Sequence, residues 1–494
     1  MSLARQVLSS SALLVAIKFI HRLLGLVSTL ILARLLTPAD FGLVALVSIT
    51  VYFFDVLSSA GSDQYIIRKE TVSQADLDTA WTLDLLMKSI LWVALFALAP
   101  AVSVFFQQPD LTTALRVGAL VLPLNALASA RLNLLKQQFE YSGIFWLSLA
   151  QRLVAFAVVI ALAWHIRSYW AMIAGDIVAS TFFSAGSYLV APQRPKLTLV
   201  HLTQQWRFSG WMLLKSVIGY TRAQIDTLFI SKLFPGSILG HYHVTRDIAM
   251  LPAHNLVLPA SEPLLAMFRQ SREDPPTMAR QLRLALLVTG IAIIPITVFT
   301  YLFCDLLILL LLGNQWTASA PLLRVFTLLL LYFSFQVVAE RALVALNKVR
   351  LLFVLDVLGF ILIAMLLTTV INRTAEDIGL MRGLAGIINL TIMLAVTSRL
   401  FERQSTVPLS GLLCVTTIAG LAGWATVRAF PPSTGSSWQD LLMASATFGI
   451  AYMIGCVAYV WTMARQFGDP ILKDILSLVT RALTAKSASK TETL

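Results

Sequence analysis

The sequence is poor in charged residues, and its few cysteines and histidines form no recognisable site. Only 13% of its 494 residues are charged and 58% are hydrophobic, against roughly 25% charged in ordinary soluble domains. Cys304, Cys414 and Cys456 lie far apart inside apolar runs, so neither a disulfide framework nor a thiolate metal site follows from them. The six histidines form no HExxH pair. Because no GxxxxGKS or GxxxxGKT run is present, the sequence also argues against ATP binding.

Long apolar runs fill the chain instead. A bilayer core of about 30 Å needs about 20 apolar residues per helix, and a window of that length predicts fourteen spans in an all-α integral membrane fold. The predicted spans are 9–35, 39–60, 79–106, 111–135, 141–165, 169–190, 209–234, 238–261, 284–312, 318–340, 351–371, 378–400, 408–430 and 439–464. The first run continues past twenty residues and carries Lys18, His21 and Arg22. It is therefore interpreted as a retained helix rather than a cleaved signal peptide.

Lysine and arginine are unequally distributed between alternate loops. One set of loops, together with the termini, holds 22 of them, and the opposite set holds only six. Because cytoplasmic loops are enriched in basic residues, this bias predicts an even number of spans with both termini in the cytoplasm. The net charge of +12 is thus mostly explained by the membrane, and no nucleic acid partner is expected.

The ends of the first and seventh predicted helices are similar. Residues 28–42 align without a gap with residues 226–240, at an offset of 198. The matched pairs are Thr29 and Thr227, Leu30 and Leu228, Arg34 and Lys232, Leu35 and Leu233, and Gly42 and Gly240. An offset of six spans returns the chain to the same side of the membrane, so the repeat is parallel, and substrate sites tend to lie at such interfaces. Chance similarity between two apolar helix ends is the alternative.

The repeat divides the chain into four predicted parts. These are an N-terminal lobe of helices 1–6 (residues 1–197), a C-terminal lobe of helices 7–12 (198–403), helices 13 and 14 (404–465), and a cytoplasmic amphipathic and disordered tail (466–494).

Nine basic residues fall inside the predicted spans. Each would cost about 3 kcal/mol at a lipid-facing midplane position, so we expect them to face a cavity, to pair with carboxylates or to reach a headgroup layer. Helix 1 and its repeat partner, helix 7, carry cations at about the same depth, which predicts a central cationic site. The candidate residues are Lys18, Arg22, Arg152, Lys215, Arg222 and Arg246.

Dispersed ion pairs are the alternative to that site. Asp84 and Lys88, and likewise Arg222 and Asp226, are four residues apart and so share a helix face. Lys18 and Arg22 have the same spacing, but both are cationic and need an anion or a distant carboxylate.

Two segments resemble a known family. The runs Arg22–Gly25 (RLLG) and Ile31–Gly42 (ILARLLTPADFG) resemble the first-helix signature of bacterial polysaccharide exporters of the Wzx type. The run Arg222–Leu233 (RAQIDTLFISKL), with Leu239–Tyr242 (LGHY) after it, resembles the seventh-helix motif of the same family. These exporters belong to the multidrug/oligosaccharidyl-lipid/polysaccharide exporter superfamily. The resemblance in span number and two-lobed repeat covers nearly the whole chain, whereas the specific motifs cover about forty residues.

The resemblance implies two six-helix lobes around a V-shaped central cavity, with two helices added at the end. It implies alternating-access export of an undecaprenyl-diphosphate-linked oligosaccharide across the bacterial inner membrane, alongside other polysaccharide-assembly membrane proteins, with no catalytic step. The relative that flips the peptidoglycan precursor carries Arg-x-Leu-Gly in helix 1, and that arginine matches Arg22. Its further helix-1 arginine falls near Ser28, which is a departure. Diphosphate oxygens suit arginine as a planar bidentate donor and lysine as a point charge.

No cofactor or metal is expected, so the energy has to come from a gradient. An inside-negative potential favours outward movement of an anionic headgroup by about 2.3 kcal/mol per charge per 100 mV. Asp55, Asp176 and Asp226 are candidates for a coupled proton or sodium ion because of their depth in the predicted spans.

Two other functions compete with this interpretation. A multidrug exporter of the same superfamily would bind organic cations in an acid-rich cavity, whereas the predicted spans hold nine basic and six acidic residues. A membrane enzyme of polysaccharide assembly would need a substantial outer loop or a reactive His/Asp constellation. The predicted outer loops are short, and the spacing of His243 and Asp247 is one residue tighter than HxxxxD.

Overall fold

The computed structural model describes most of the chain. The described residues are 20–58, 65–67, 69, 71–138, 140–370, 373–401, 408–431 and 437–466, and side chains are described for these except 204, 206–212, 214–215 and 460–466. The predicted amphipathic tail, apart from Gln466, lies outside the described residues.

Every regular element in these described ranges is helical. In chain order the helices are α1 (20–35), α2 (Pro38–Ser58), α3 (Gln74–Phe106), α4 (Leu111–Gly118), α5 (Val121–Ala126), α6 (Arg131–Gln137), α7 (Ser142–Ile166), α8 (Trp170–Val190), α9 (Leu202–Leu233), α10 (Gly236–Pro252), a π-helical turn (Ala253–Val257), α11 (Leu258–Gln270), α12 (Pro275–Leu302), α13 (Cys304–Leu312), a 3₁₀ helix (Asn314–Ser319), α14 (Ala320–Ala345), α15 (Val349–Thr368), α16 (Ala375–Leu400), α17 (Leu409–Ala429) and α18 (Trp438–Gln466).

The predicted all-helical membrane fold is confirmed. Within the described residues, ten helices are long and apolar enough to cross a bilayer, and one bent helix pair makes an eleventh. The spans predicted near 9–35, 209–234 and 238–261 are not among them. The first of these is described only from residue 20, and the other two carry charged residues along their helices. The count of fourteen stays a prediction.

Four helices begin with the same local signal. A serine or threonine is followed three residues later by an aspartate, and the two exchange hydrogen bonds across the first turn, which satisfies amides that have no helical partner. These pairs are Thr37 and Asp40 at α2, Ser73 and Asp76 at α3, Thr374 and Asp377 at α16, and Ser437 and Asp440 at α18.

The predicted span 111–135 is broken rather than continuous. Its two parts, Leu111–Ala126 and Arg131–Gln137, are bent by 61°. At the break the Ser129 amide donates to the Ser187 hydroxyl at 2.8 Å, and the Ser129 hydroxyl donates to the Ala191 carbonyl oxygen at 2.8 Å. A helix can break at membrane depth only where neighbours replace its lost backbone bonds, and hydroxyl groups do so here.

The chain divides into two compact units. The first contains Met1–Thr245 with Leu312–Ala318 and Leu367–Ile378, and the second contains Arg246–Leu311, Ser319–Leu366 and Gly379–Leu494. The lobe boundaries predicted from the repeat stay a prediction.

In the second unit the last two helices pack on α12. α17 contacts α12 and α18, and an apolar cluster of Ile294, Val415 and Phe448 fills the space between them. The Tyr452 hydroxyl donates to the Ile291 carbonyl oxygen at 2.8 Å. The π-helical turn after Pro252 lies in this unit as well.

In the first unit the beginnings of α2 and α10 touch at two glycines that the repeat alignment pairs. A side chain on Gly42 would overlap the Gly236 carbonyl oxygen, and one on Gly240 would overlap the Pro38 carbonyl oxygen. Pro38 and Gly236 are also 198 residues apart. The contact is therefore reciprocal, as it is in any interface that a two-fold axis maps onto itself, and the pseudo-repeat is present in the packing.

Because backbone rather than side chain lies opposite these glycines, they cannot be enlarged without moving a helix. Gly42→Ala and Gly240→Ala are expected to lower the free energy of unfolding by about 1–3 kcal/mol, the usual range for overpacking. Thermal unfolding of the purified protein in mild detergent measures this. Gly420→Ala is the matched control, because no atom lies within 4 Å of its added methyl group. An unchanged midpoint in Gly42→Ala would contradict the contact.

Candidate functional site

The first unit contains a cavity of about 640 Å³ with polar and charged walls. Its lining comes from α2, the end of α4, α5, α7, α8, α9 and α10. The polar lining residues are Ser48, Tyr52, Asp55, Asn125, Gln151, Arg152, Asp176, Ser180, Tyr220, Gln224 and His243. A polar cavity inside a bundle of apolar helices is where intramembrane function is expected.

Helix periodicity explains how the helices present these groups together. On α2, Ser48, Tyr52 and Asp55 are spaced by four and three residues, so they share one face. On α8, Asp176 and Ser180 are four residues apart and do the same. The other faces of these helices are almost wholly apolar, so the polar stripes meet inside the unit.

The cavity brings together one predicted cation and two predicted anions. Arg152 on α7 is the one lysine or arginine among its lining residues, and Asp55 and Asp176 are its carboxylates. Asp176 is exposed to the cavity and Arg152 is half-buried. Within the described residues no ion pair joins Arg152 to Asp176. The guanidinium and this carboxylate therefore lie in one cavity without direct contact.

Arg152 also lies in the contact between α1 and α7. Its Nη2 is 2.7 Å from the point that a Cβ on Gly25 would occupy, so the guanidinium rests on the backbone of α1. One helical turn away, the His21 Nε2 and the Ser148 carbonyl oxygen are 3.1 Å apart. Arg22 is half-buried and three residues before Gly25, on the same side of α1. Two predicted members of the cationic site thus occupy facing helices.

Asp55 is held by a lysine. The Lys88 Nζ is 3.6 Å from Asp55 Oδ1 and 3.1 Å from Asp84 Oδ2. The predicted Asp84–Lys88 pair on α3 is confirmed, and it extends across to α2. Lys88 is 15% exposed and each carboxylate about one-third exposed, which is the compensated arrangement that intramembrane charges require.

Two tyrosines form an aromatic wall of the cavity. The rings of Tyr52 and Tyr220 have centroids 5.2 Å apart and are tilted by 44°. The Tyr220 hydroxyl donates to the Ile49 carbonyl oxygen at 2.7 Å, which fixes α9 against α2. Tyr52 is 56% exposed, so one aromatic face remains open to the cavity.

Asp226, predicted for ion coupling, lies elsewhere in the first unit. It is 1% exposed and its Oδ2 accepts a hydrogen bond of 2.8 Å from the Tyr242 hydroxyl, which is itself completely buried. Asp226 and Tyr242 join α9 to α10 through this bond. The predicted part of Asp226 in ion coupling stays a prediction.

Among the other predicted cations whose side chains are described, none is a lining residue of the cavity. Lys18 lies outside the described residues, and so does the side chain of Lys215. Arg222 is on α9, two residues before the lining residue Gln224. Arg246 belongs to the second unit. Their membership of a common site stays a prediction.

Arg382 is a buried cation near the beginning of the predicted span 378–400, and it is not one of the predicted site residues. It lies two turns inside α16, is 8% exposed, and its guanidinium carbon is 5.9 Å from the centroid of the Tyr332 ring in the same unit. The signal that could have found it is the Thr374–Asp377 cap, which starts the helix well before Arg382.

One protein family matches the sequence over more than half of its length. The family model, described as "Polysaccharide biosynthesis protein", matches residues 31–321. The lipopolysaccharide biosynthesis protein WzxC of Escherichia coli (strain K12) is 23% identical over 305 residues, 61% of this chain and 62% of the relative. The succinoglycan biosynthesis transport protein ExoT of Rhizobium meliloti (strain 1021) is 23% identical over 309 residues, 62% of each chain. The matched region thus spans 62% of the length of these relatives.

Solved structures share the fold. The inward closed conformation of the lipid II flippase MurJ superposes with a TM-score of 0.77 at 14% identity, covering 92% of this chain and 100% of that one. An inward-facing multidrug resistance MATE family transporter of the MOP superfamily gives a TM-score of 0.60 at 13% identity, covering 80% and 99%. At these identities the likeness concerns the fold alone.

The bond between Asp226 and Tyr242 makes a testable contribution to stability. Tyr242→Phe removes a donor from a buried carboxylate, which is expected to cost about 1–2 kcal/mol. Thermal unfolding in detergent, compared with Tyr301→Phe at a half-exposed tyrosine, measures the difference. Equal midpoints for the two variants would mean that this hydroxyl does not stabilise the α9–α10 contact.

Proposed function

This chain belongs to the polysaccharide biosynthesis protein family, within the multidrug/oligosaccharidyl-lipid/polysaccharide exporter superfamily, and we propose on that basis that it flips an undecaprenyl-diphosphate-linked oligosaccharide across the bacterial inner membrane. The observation that carries the proposal is a polar cavity of about 640 Å³ among membrane-spanning helices of a chain in this family. Relatives named for lipopolysaccharide and succinoglycan biosynthesis, and a fold neighbour named as a lipid II flippase, support it.

The diphosphate would be recognised by guanidinium groups. Arg22 and Arg152 lie on facing helices of the first unit, with Arg152 both in the cavity wall and against α1. Arginine offers a fork of donors that matches paired phosphate oxygens, and it keeps its charge in an apolar environment. Lys18, Lys215 and Arg222, which belong to the same unit, are the further candidates from the sequence.

The sugars would be held by the neutral part of the cavity. Asn125, Gln151 and Gln224 supply both donors and acceptors. Tyr52 offers an open ring face, on which the apolar face of a sugar ring stacks. These groups recognise hydroxyl-rich ligands in general, so the proposal names a class of substrate and no particular sugar.

Transport needs no catalytic step. The oligosaccharide would enter the cavity from the cytoplasmic leaflet and leave towards the outer leaflet as the helices around it rearrange. The family and the relatives are named for biosynthesis and transport, and a carrier fold is what the solved neighbours share.

Export of an organic cation is the second candidate, because one observation favours it. Asp55 and Asp176 give the cavity lining two carboxylates against the single Arg152, and the fold is also that of a MATE family transporter. A cationic ligand would be attracted by Asp176 in particular, since Asp55 already contacts Lys88.

Removal of the arginines tests the diphosphate site. In cells that lack the native protein, Arg22→Ala, Arg152→Ala and Arg222→Ala are each expected to reduce export of the lipid-linked oligosaccharide about tenfold or more, because a charge-assisted hydrogen bond contributes about 1.5–3 kcal/mol. Precursor should accumulate on the inner leaflet. The measurement is the leaflet distribution of the precursor, with protein levels in the membrane followed alongside.

Arg269→Ala, at an exposed arginine of the second unit, is the matched control. Normal export by all three arginine variants at wild-type protein levels would contradict a cationic site. Under that outcome, loss of ethidium efflux in Asp176→Asn would support the organic-cation exporter instead.

Variants of the intramembrane aspartates test whether transport is coupled to a proton or sodium gradient. We propose that the membrane potential favours outward movement of the anionic headgroup and that Asp176 carries a coupled proton or sodium ion, since it faces the cavity without an ion pair to Arg152. Asp176→Asn is expected to remove the pH or sodium dependence of transport. Asp55→Asn and Asp226→Asn should retain it, because both carboxylates have structural partners. If the dependence is unchanged in all three variants, no aspartate of this set carries the ion.

A further inference from the structure

The linker between the two predicted lobes, residues 192–199, is hydrogen-bonded to the beginning of α3. The Thr82 hydroxyl donates to the Asp78 carbonyl oxygen of its own helix at 2.7 Å, accepts from the Thr198 amide at 3.1 Å, and is 3.3 Å from the Lys196 carbonyl oxygen. The Gln193 side-chain amide donates to Asp78 Oδ1 at 3.3 Å. Residues 192–199 carry no regular secondary structure, so these side-chain bonds fix the path of the linker.

This linker exposes apolar and basic side chains together. Leu197 is 75% exposed, Val200 is 76% exposed and Leu199 is 42% exposed. Arg194 and Lys196 are exposed beside them. Within the described part of the chain neither basic group forms an ion pair. A segment of this kind suits the boundary between lipid headgroups and acyl chains.

Directly beside the linker is an apolar groove of about 690 Å³. Four side chains of α3 at spacings of three, one and three residues form its floor, and the end of the linker closes it. The lining residues are Leu83, Leu86, Met87 and Ile90 of α3, Leu199 of the linker, and Leu202 and Thr203 at the beginning of α9. The groove shares no lining residue with the polar cavity.

The length of α3 indicates where the groove lies relative to the bilayer. Its 33 residues extend about 50 Å at 1.5 Å per residue, about 20 Å more than the hydrocarbon core. Its first turn carries a capping box and an ion pair of 2.7 Å between Lys69 and Asp76, whose carboxylate raises the pKa of Lys69. Such a polar turn belongs outside the core. Thr82 then falls near the headgroups, and Leu83–Ile90 falls in the hydrocarbon next to them.

We propose that this groove binds an anionic phospholipid, with one acyl chain between α3 and the linker and the phosphate at Arg194 and Lys196. Charge complementarity selects the occupant, because an apolar groove next to a linker that carries two exposed basic residues matches a lipid with a negative headgroup. Asp76 and Asp78, the nearby acids, are already engaged by Lys69 and Gln193, so they do not neutralise the site. The unequal distribution of lysine and arginine between alternate loops predicts that the beginning of α3 lies at the inner leaflet. Anionic lipids are concentrated in that leaflet. The inference does not depend on the proposed function.

Lipid binding to the full-length protein tests the proposal. Native mass spectrometry in detergent measures the affinity for added phosphatidylglycerol and, separately, phosphatidylcholine. The wild type is expected to prefer phosphatidylglycerol, and Arg194→Gln with Lys196→Gln is expected to weaken that binding about fivefold per charge removed, about thirtyfold for the pair. Leu86→Trp, which fills the groove at a 40% exposed position, should weaken binding of both lipids.

Arg269→Gln with Arg272→Gln removes two exposed basic groups of the second unit and should leave the affinity unchanged. Equal binding of both lipids to the wild type, or an equal loss in the two double variants, would overturn the proposal. Displacement of phosphatidylglycerol by equimolar undecaprenyl phosphate would also overturn it, because the groove would then belong to the substrate's own chain.

Discussion

The absence of water in the bilayer core is the constraint on which the rest of this structure depends. A charge there must meet an opposite charge, a hydrogen-bond donor or a polar cavity, and the described residues show each of the three. Lys88 joins two carboxylates, Tyr242 donates to the buried Asp226, and Arg152 lines the cavity. The polar groups are few, so their positions decide which helix faces can meet.

The same constraint explains how helices are joined at points of close approach. In lipid there is little hydrophobic drive between apolar helices, and small residues that let backbones come together contribute much of the packing. Gly42 and Gly240 allow such a close approach at the pseudo-symmetric contact of α2 and α10. Ser129 and Ser187 do the same at the break between α5 and α6. At these two positions the helices therefore meet through backbone atoms and short hydroxyl side chains.

Much of this fold could be predicted from the sequence, because a run of about 20 apolar residues identifies a membrane helix without reference to the rest of the chain. The run that becomes α15 and the run that becomes α17 are evident without any partner helix. The break at Ser129 is not, since it depends on a hydroxyl 58 residues away. For the site, the spacing of four residues on one helix predicted the Asp84–Lys88 pair. That spacing could not show that Lys88 reaches Asp55, that Asp226 meets Tyr242, or that Arg382 lies beside the Tyr332 ring, because each contact depends on a neighbouring helix.

The π-helical turn Ala253–Val257 has a consequence for how the two halves are compared. A π turn accommodates one more residue than an α turn, which amounts to a single-residue insertion in the helix. At the offset of 198 these residues correspond to positions at the end of α2, which is regular through Ser58. Pairwise matching of the halves beyond this point therefore needs a gap. Without one, every later residue would be assigned to a helix face about 100° away from its true counterpart, since each residue of an α-helix turns the chain by that angle.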